Sequence, residues 1–134
     1  MAGLWRLGTG NRYSPVKQIN ADNVSQLTKV WDFHTGDMPD KAVKDKYSPE
    51  NTPLEVVTAG GLIFIAATTD NKLRAIDIKT GKEVWQTDLP AGGQTTPMTY
   101  EIDGRQYVVI APGGHHFRET KVGDDVIAYA LPKG

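Results

Sequence analysis

Residues 75–85 read AIDIKTGKEVW, with Ala75, Asp77, Gly81 and Trp85 spaced as A-x-D-x-x-x-G-x-x-x-W. Each of the four has a structural job. A carboxylate at Asp77 can accept hydrogen bonds from the backbone N–H groups of the turn that follows. Gly81 supplies a position of positive φ where the chain reverses. Ala75 is small enough to let a large ring approach, and Trp85 is such a ring. A tryptophan of one blade packed over a neighbour's alanine and turn would join two blades, so the four are read as blade-docking residues. The stretch looks like one unit of a repeat, and such units need about three or more neighbours to bury their apolar faces. Here it occurs once.

Working outward, short apolar runs alternate with turn signals. LIFIAA (62–67) precedes Asp70-Asn71, KLRAIDI (72–78) precedes Thr80-Gly81, and EVWQTDL (83–89) follows. Turn signals at this spacing argue for a sandwich, barrel or propeller rather than βαβ units. In YEIDGRQYVVIA (100–111), Asp103-Gly104 between two apolar segments predicts a type I′ hairpin. Residues 125–131 form the last strand. Upstream, ADNVSQL (21–27) reads as a short helix capped by Asp22 or Asn20. KVWDFHTG (29–36) reads as a strand with Trp31 and Phe33 on one side, and TPLEVV as another. Two four-stranded antiparallel sheets follow: 54–58, 62–67, 72–78 and 83–89; then 97–102, 106–111 and 126–131, with 29–34 returning as the outer strand. Four-stranded sheets arranged radially are propeller blades. The chain divides into an amino-terminal segment with the closing strand (1–36), an exposed loop (37–50), a first blade (51–90) and a second (91–134).

Composition narrows the partners. Of 134 residues 23% are charged, the formal net charge is −1, and lysines are scattered rather than clustered. Nothing in that balance attracts nucleic acid or an acidic membrane surface. No run approaches the ~18 apolar residues of a membrane helix, and residues 1–8 lack the basic-then-apolar pattern of a signal peptide. With no cysteine, disulfides and thiolate metal sites are excluded.

The docking strip resembles the tryptophan-docking motif of the pyrroloquinoline-quinone (PQQ) dehydrogenases, an eight-bladed propeller family. The likeness extends over nearly the whole chain. Residues 10–37, GNRYSPVKQINADNVSQLTKVWDFHTGD, with ENTPLEV (50–56), are similar to the amino-terminal portion of the membrane glucose dehydrogenase branch. Residues 60–85, 89–116 and 123–132 (GDDVIAYALP) are similar to its carboxyl-terminal end. Around TPLEVVTAGG (52–61) the start-like part runs directly into the end-like part, and the central blades have no counterpart. The resemblance therefore implies two blades of an eight-bladed quinoprotein propeller, completed by oligomerisation. Four chains in a head-to-tail ring would supply eight blades.

In that family PQQ, with a divalent ion such as Ca²⁺ or Mg²⁺, oxidises an alcohol or sugar, and the protein supplies placement and electrostatics. The catalytic base, metal ligands and stacking tryptophan come from central blades, so none is assigned here. The resemblance places Glu50 near the cofactor and His115 near the substrate entrance; read from the sequence alone, Glu50 is a solvated loop carboxylate and His115 a glycine-loop histidine. His115 and His116 are neighbours that point to opposite faces of an extended chain, which disfavours joint ligation of one ion. Asp70-Asn71 matches a pair in the family's metal site, but its setting is a turn. Asp124 and Asp125 read as solvated charges, and Gly92-Gly93 precedes a strand, unlike a phosphate cradle. Two functions follow: a non-catalytic oligomeric scaffold or small-ligand module, or a PQQ-dependent sugar or alcohol dehydrogenase assembled from several chains. The family resemblance implies a periplasmic setting, although the sequence shows neither signal peptide nor anchor.

Overall fold

The computed structural model describes residues 13–34, 56–66, 68–114 and 120–133. They form nine strands: β1 (Tyr13–Ser14), β2 (Thr28–His34), β3 (Val56–Thr58), β4 (Leu62–Ile65), β5 (Lys72–Asp77), β6 (Glu83–Asp88), β7 (Met98–Ile102), β8 (Arg105–Ile110) and β9 (Asp125–Ala130). The fold is all-β. One sheet has the order β1-β3-β4-β5-β6 and the other β2-β9-β8-β7. Every pairing is antiparallel except β1 with β3. No helix among the described residues is long and apolar enough to cross a membrane.

The second sheet has the predicted composition, with β2 on its edge beside the last strand. The first sheet has five strands instead of four. Its extra member, β1, is only two residues long and carries no alternation to announce it. β3 would otherwise present unpaired backbone groups along its edge. Tyr13 and Ser14 run beside Val57 and Thr58, and the Ser14 carbonyl accepts from the Ala59 N–H at 2.9 Å.

Asp103 and Gly104, at φ 51° and 72°, form the two-residue loop from β7 to β8. Positive φ at both central positions is the type I′ geometry, whose twist matches that of the strands. The expected helix at 21–27 is shorter, a single 3₁₀ turn, Val24–Gln26. Neither Asp22 nor Asn20 caps it through a side chain. The Asn20 carbonyl accepts from the N–H groups of Asn23 and Val24 at 3.2 and 2.9 Å. The Asn20 side chain instead closes a local turn by accepting from the Asp22 N–H at 2.9 Å, the usual competition of asparagine with helix formation.

The segment between β1 and β2 stitches the two sheets together. Gln106, fully buried on β8, accepts from the Ile19 N–H at 2.8 Å and donates to Thr99 Oγ1 at 2.9 Å. Its own N–H donates to Gln18 Oε1 at 2.6 Å. Nearby, the Ile19 carbonyl approaches Gly60 so closely that a Cβ there would overlap the oxygen. Only glycine permits that approach.

The core lies between the sheets. Leu62, Phe64, Leu73 and Ala75 face Val108, Ile110, Ile127 and Tyr129, with Ile19, Val24 and Leu27 filling from the connecting segment. Side chains alternate between faces along each strand, so the residues between these point away from the shared core. On the far side of the second sheet Phe33 sits opposite Val126, Trp31 opposite Ala128, Met98 opposite Val109 and Tyr100 opposite Tyr107. On the far side of the first sheet are Val57, Ile63, Ile65 and Ile76. Both sheets are thus apolar on both faces, and each has only one face covered by the other.

Candidate functional site

The docking strip is built from the β5–β6 corner. Asp77 Oδ1 accepts from the backbone N–H groups of Lys79 and Thr80 at 2.8 and 2.9 Å. These bonds, the one from Thr80 first, hold the carboxyl below its ordinary pKa. The Gly81 N–H donates to the Asp77 carbonyl at 2.8 Å, and Gly81 has φ 68°. Ala75 and Trp85 are cross-strand partners within the same sheet, next to a bulge between Ala75 and Ile76. The motif's own alanine thus lies beside the ring in one sheet, and the adjacent sheet presents an aromatic partner. What Trp85 meets there is Tyr129 of β9, edge-to-face, with centroids 5.6 Å apart and planes at 76°. Burial pushes the Tyr129 phenol pKa up, opposed by its hydrogen bond with Thr87, two residues along β6.

Beside this contact lies a cleft of about 440 Å³ between β6 and the β2–β9 pair, lined by Trp85, Tyr129, Lys29, Asp32, Asp88 and Asp125 among others. Among the described residues, three carboxylates face one ammonium there. Lys29 engages Asp32 at 2.6 Å, while Lys72, from outside the lining, engages Asp88 at 2.6 Å.

Asp124 and Asp125 are not solvated charges. Their side chains retain only 16% and 11% exposure, and both converge on His34 Nδ1, at 3.3 and 3.2 Å. The imidazole pKa is raised, first by the hydrogen bond with Asp124 and then by the charge of Asp125. His34 stands directly opposite Asp125 in the β2–β9 register. The sequence carried a usable signal: once strand 29–34 is placed beside the last strand, alternation and register bring His34 to the Asp pair. The register was the missing step.

Asp70 is at a turn, as its sequence context suggested, and Asn71 adopts φ 56°. Arg74 holds Asp70 through a short ion pair and reaches Glu83 at 2.8 Å through Nε. The guanidinium, followed by the Thr68 hydroxyl, keeps the Asp70 carboxyl well below the usual carboxylate range. This cluster is self-satisfied and ties the β4–β5 turn to β6. Gly92 and Gly93 are packed rather than cradle-forming: a Cβ on Gly93 would meet Ala66 and Leu89 at 2.6 and 2.8 Å. Glu50, His115 and His116 lie outside the described residues.

Comparison with known proteins gives a consistent result. The family described as "PQQ: Glucose/ethanol/alcohol dehydrogenase, beta-propeller domain" matches residues 6–57 and 54–108, two segments that meet where the start-like and end-like parts of the sequence join. The glycerol dehydrogenase large subunit of Gluconobacter oxydans is 64% identical over 77 residues, 58% of this chain and 10% of that protein. The quinoprotein glucose dehydrogenase of Escherichia coli is 60% identical over 77 residues, with the same coverage. A solved europium-containing methanol dehydrogenase superposes with a TM-score of 0.52 at 30% identity, over 57% of this chain and 19% of that one. The chain thus spans about a tenth of the length of these curated relatives.

Proposed function

This chain belongs to the PQQ-dependent glucose/ethanol/alcohol dehydrogenase β-propeller family, and from that premise we propose that it is a self-assembling two-blade propeller module, structural rather than catalytic on its own. The observation that carries the reading is the pair of apolar faces that the described residues leave open. On the second sheet Trp31, Phe33, Met98 and Ile102 keep 40%, 61%, 56% and 56% exposure, around the stacked rings of Tyr100 and Tyr107. On the opposite side of the two-sheet stack, Ile63, Ile65 and Ile76 are half-covered and Ile78 is exposed. Apolar faces of this extent on a soluble chain mark association surfaces. The two faces differ, so the contact is head-to-tail, and a head-to-tail contact with fixed rotation closes into a ring. Within an eight-bladed frame the ring holds four chains.

A second reading is favoured by the names of the relatives: a PQQ-dependent sugar or alcohol dehydrogenase whose site is assembled from several chains, with copies of Glu50 and His115 around it. PQQ would supply the two-electron oxidation of an alcohol. The described lining of the cleft beside Trp85 does not fit that cofactor, because PQQ is a polycarboxylate and the described residues there bring three carboxylates against one ammonium. Nothing in the described residues routes a step through it.

Two experiments separate the readings. Phe33→Asp on the open face should lower the oligomer to the single-chain species while the far-UV circular dichroism of the fold is kept; an unchanged oligomer contradicts the assembly. Titration with PQQ and Ca²⁺ or Mg²⁺, followed by dye reduction with glucose and glycerol, should give no turnover. Turnover by the assembled wild-type chain establishes the second reading instead.

A further inference from the structure

We propose that His34, Asp124 and Asp125 form a binding site for a first-row divalent cation, with zinc as its representative, which pins edge strand β2 to the last strand β9. The three side chains come from segments 90 residues apart and meet only because β2 closes the second sheet against β9. Their donor atoms all lie within 4.8 Å of one another, and the imidazole Nδ1 is 3.3 and 3.2 Å from the two carboxylate oxygens. Donors held ~2.0–2.1 Å from a tetrahedral zinc ion lie roughly 3.3–3.4 Å apart, close to the two spacings from the imidazole to the carboxylates.

Charge points the same way. The two carboxylates are recessed and adjacent, which disfavours ionising both unless a cation is close. A proton on Nδ1 can be directed at only one of them at a time. A divalent cation at the centre of the three donors engages all of them at once. The imidazole, 67% exposed over carboxylates that are 16% and 11% exposed, leaves an approach from solvent. Three protein donors leave a fourth position for water, and water is not excluded on that side.

The donor set also selects the ion. One imidazole with two carboxylates suits zinc and its first-row neighbours, whereas calcium and magnesium prefer all-oxygen shells. Alternation puts His34 and Asp32 on one face of β2 and Trp31 and Phe33 on the other. The cation site therefore sits apart from the apolar face assigned to assembly, and it stands or falls independently of that assembly. Asp32, the nearest further carboxylate on the strand, is already engaged by Lys29.

The test is calorimetric titration of the metal-free full chain with zinc chloride at neutral pH, with Co²⁺ absorption as a report on coordination geometry. One ion per chain should bind, and His34→Gln should weaken binding at least tenfold. The double substitution Asp124→Asn/Asp125→Asn should do the same. Replacing the other two histidines together, His115→Ala/His116→Ala, should leave the affinity unchanged. At a hundredfold excess over Kd, zinc should raise the Tm by roughly 5–10 °C, and His34→Gln should abolish the rise. Binding that survives His34→Gln, binding lost with the His115/His116 pair, tighter binding of Ca²⁺ than of Zn²⁺, or no binding at all would each overturn the proposal. His34 is exposed, so His34→Gln decides the matter even if the double aspartate variant does not fold.

Discussion

Replacing Trp85 by alanine tests the contact that joins the two sheets. A tryptophan buries 150–250 Å² when enclosed; Trp85 is half-buried against the core, so about 120 Å² of apolar surface is at stake. At about 25 cal/mol/Å² this corresponds to ~3 kcal/mol. The edge-to-face pair with Tyr129, at 5.6 Å, adds ~1 kcal/mol beyond area. A loss of about 3–4 kcal/mol is a large part of the ~5–15 kcal/mol that holds a typical domain, and it lowers Tm by roughly 10 °C. Urea denaturation followed by circular dichroism at fixed protomer concentration measures it, since assembly makes apparent stability depend on concentration. A double-mutant cycle with Tyr129→Ala should return a coupling of about 1 kcal/mol. If Trp85→Ala stays within about 0.5 kcal/mol of the wild type, as surface substitutions commonly do, Trp85 does not join the sheets and the reasoning fails.

Other substitutions probe the frame around that contact. Gly60→Ala drives a Cβ into the Ile19 carbonyl, and because backbone must move the loss should exceed ~2 kcal/mol by the same denaturation assay; Gly81→Ala, with open space but φ 68°, should cost only about 1 kcal/mol. Gln106→Leu strands the Ile19 N–H that it now satisfies and should cost about 2 kcal/mol, read as early hydrogen exchange of the 18–27 segment. Asp70 has a depressed pKa in the folded chain, so its ion pair with Arg74 adds stability above the unfolded carboxylate value of about 4 and loses it as pH falls below that value. Tm between pH 5 and 2 should therefore drop less in Asp70→Asn than in the wild type, and high salt should shrink the difference because the pair is exposed; equal drops would show that the pair does not bear on stability.

The fold was legible where local chemistry decides it. Asp103-Gly104 announced its hairpin because few other dipeptides accept positive φ twice, and the apolar runs at 62–67 and 72–78 announced β4 (Leu62–Ile65) and β5 (Lys72–Asp77) by composition alone. The place of residues 29–34 as the outer strand of the second sheet came from grouping the strands in fours. What stayed hidden depends on pairing between distant segments. Tyr13–Ser14 has no pattern of its own and becomes a strand because β3 has an open edge. That Ala75 is the cross-strand partner of Trp85, and Tyr129 its aromatic contact across the core, follows from register rather than from the motif. Asp124 and Asp125 looked solvated because His34 reaches them only through the β2–β9 register. The two residues that the resemblance placed near a cofactor, Glu50 and His115, fall outside the described part of the chain.

The central claim is that two blades with unlike open apolar faces complete a propeller by stacking on copies of themselves. Sedimentation velocity on the wild-type chain over a wide concentration range tests it most directly. The account predicts a closed species of four chains that persists on dilution, with no higher ladder because the ring leaves no free face. A folded, stable single chain across that range would contradict it.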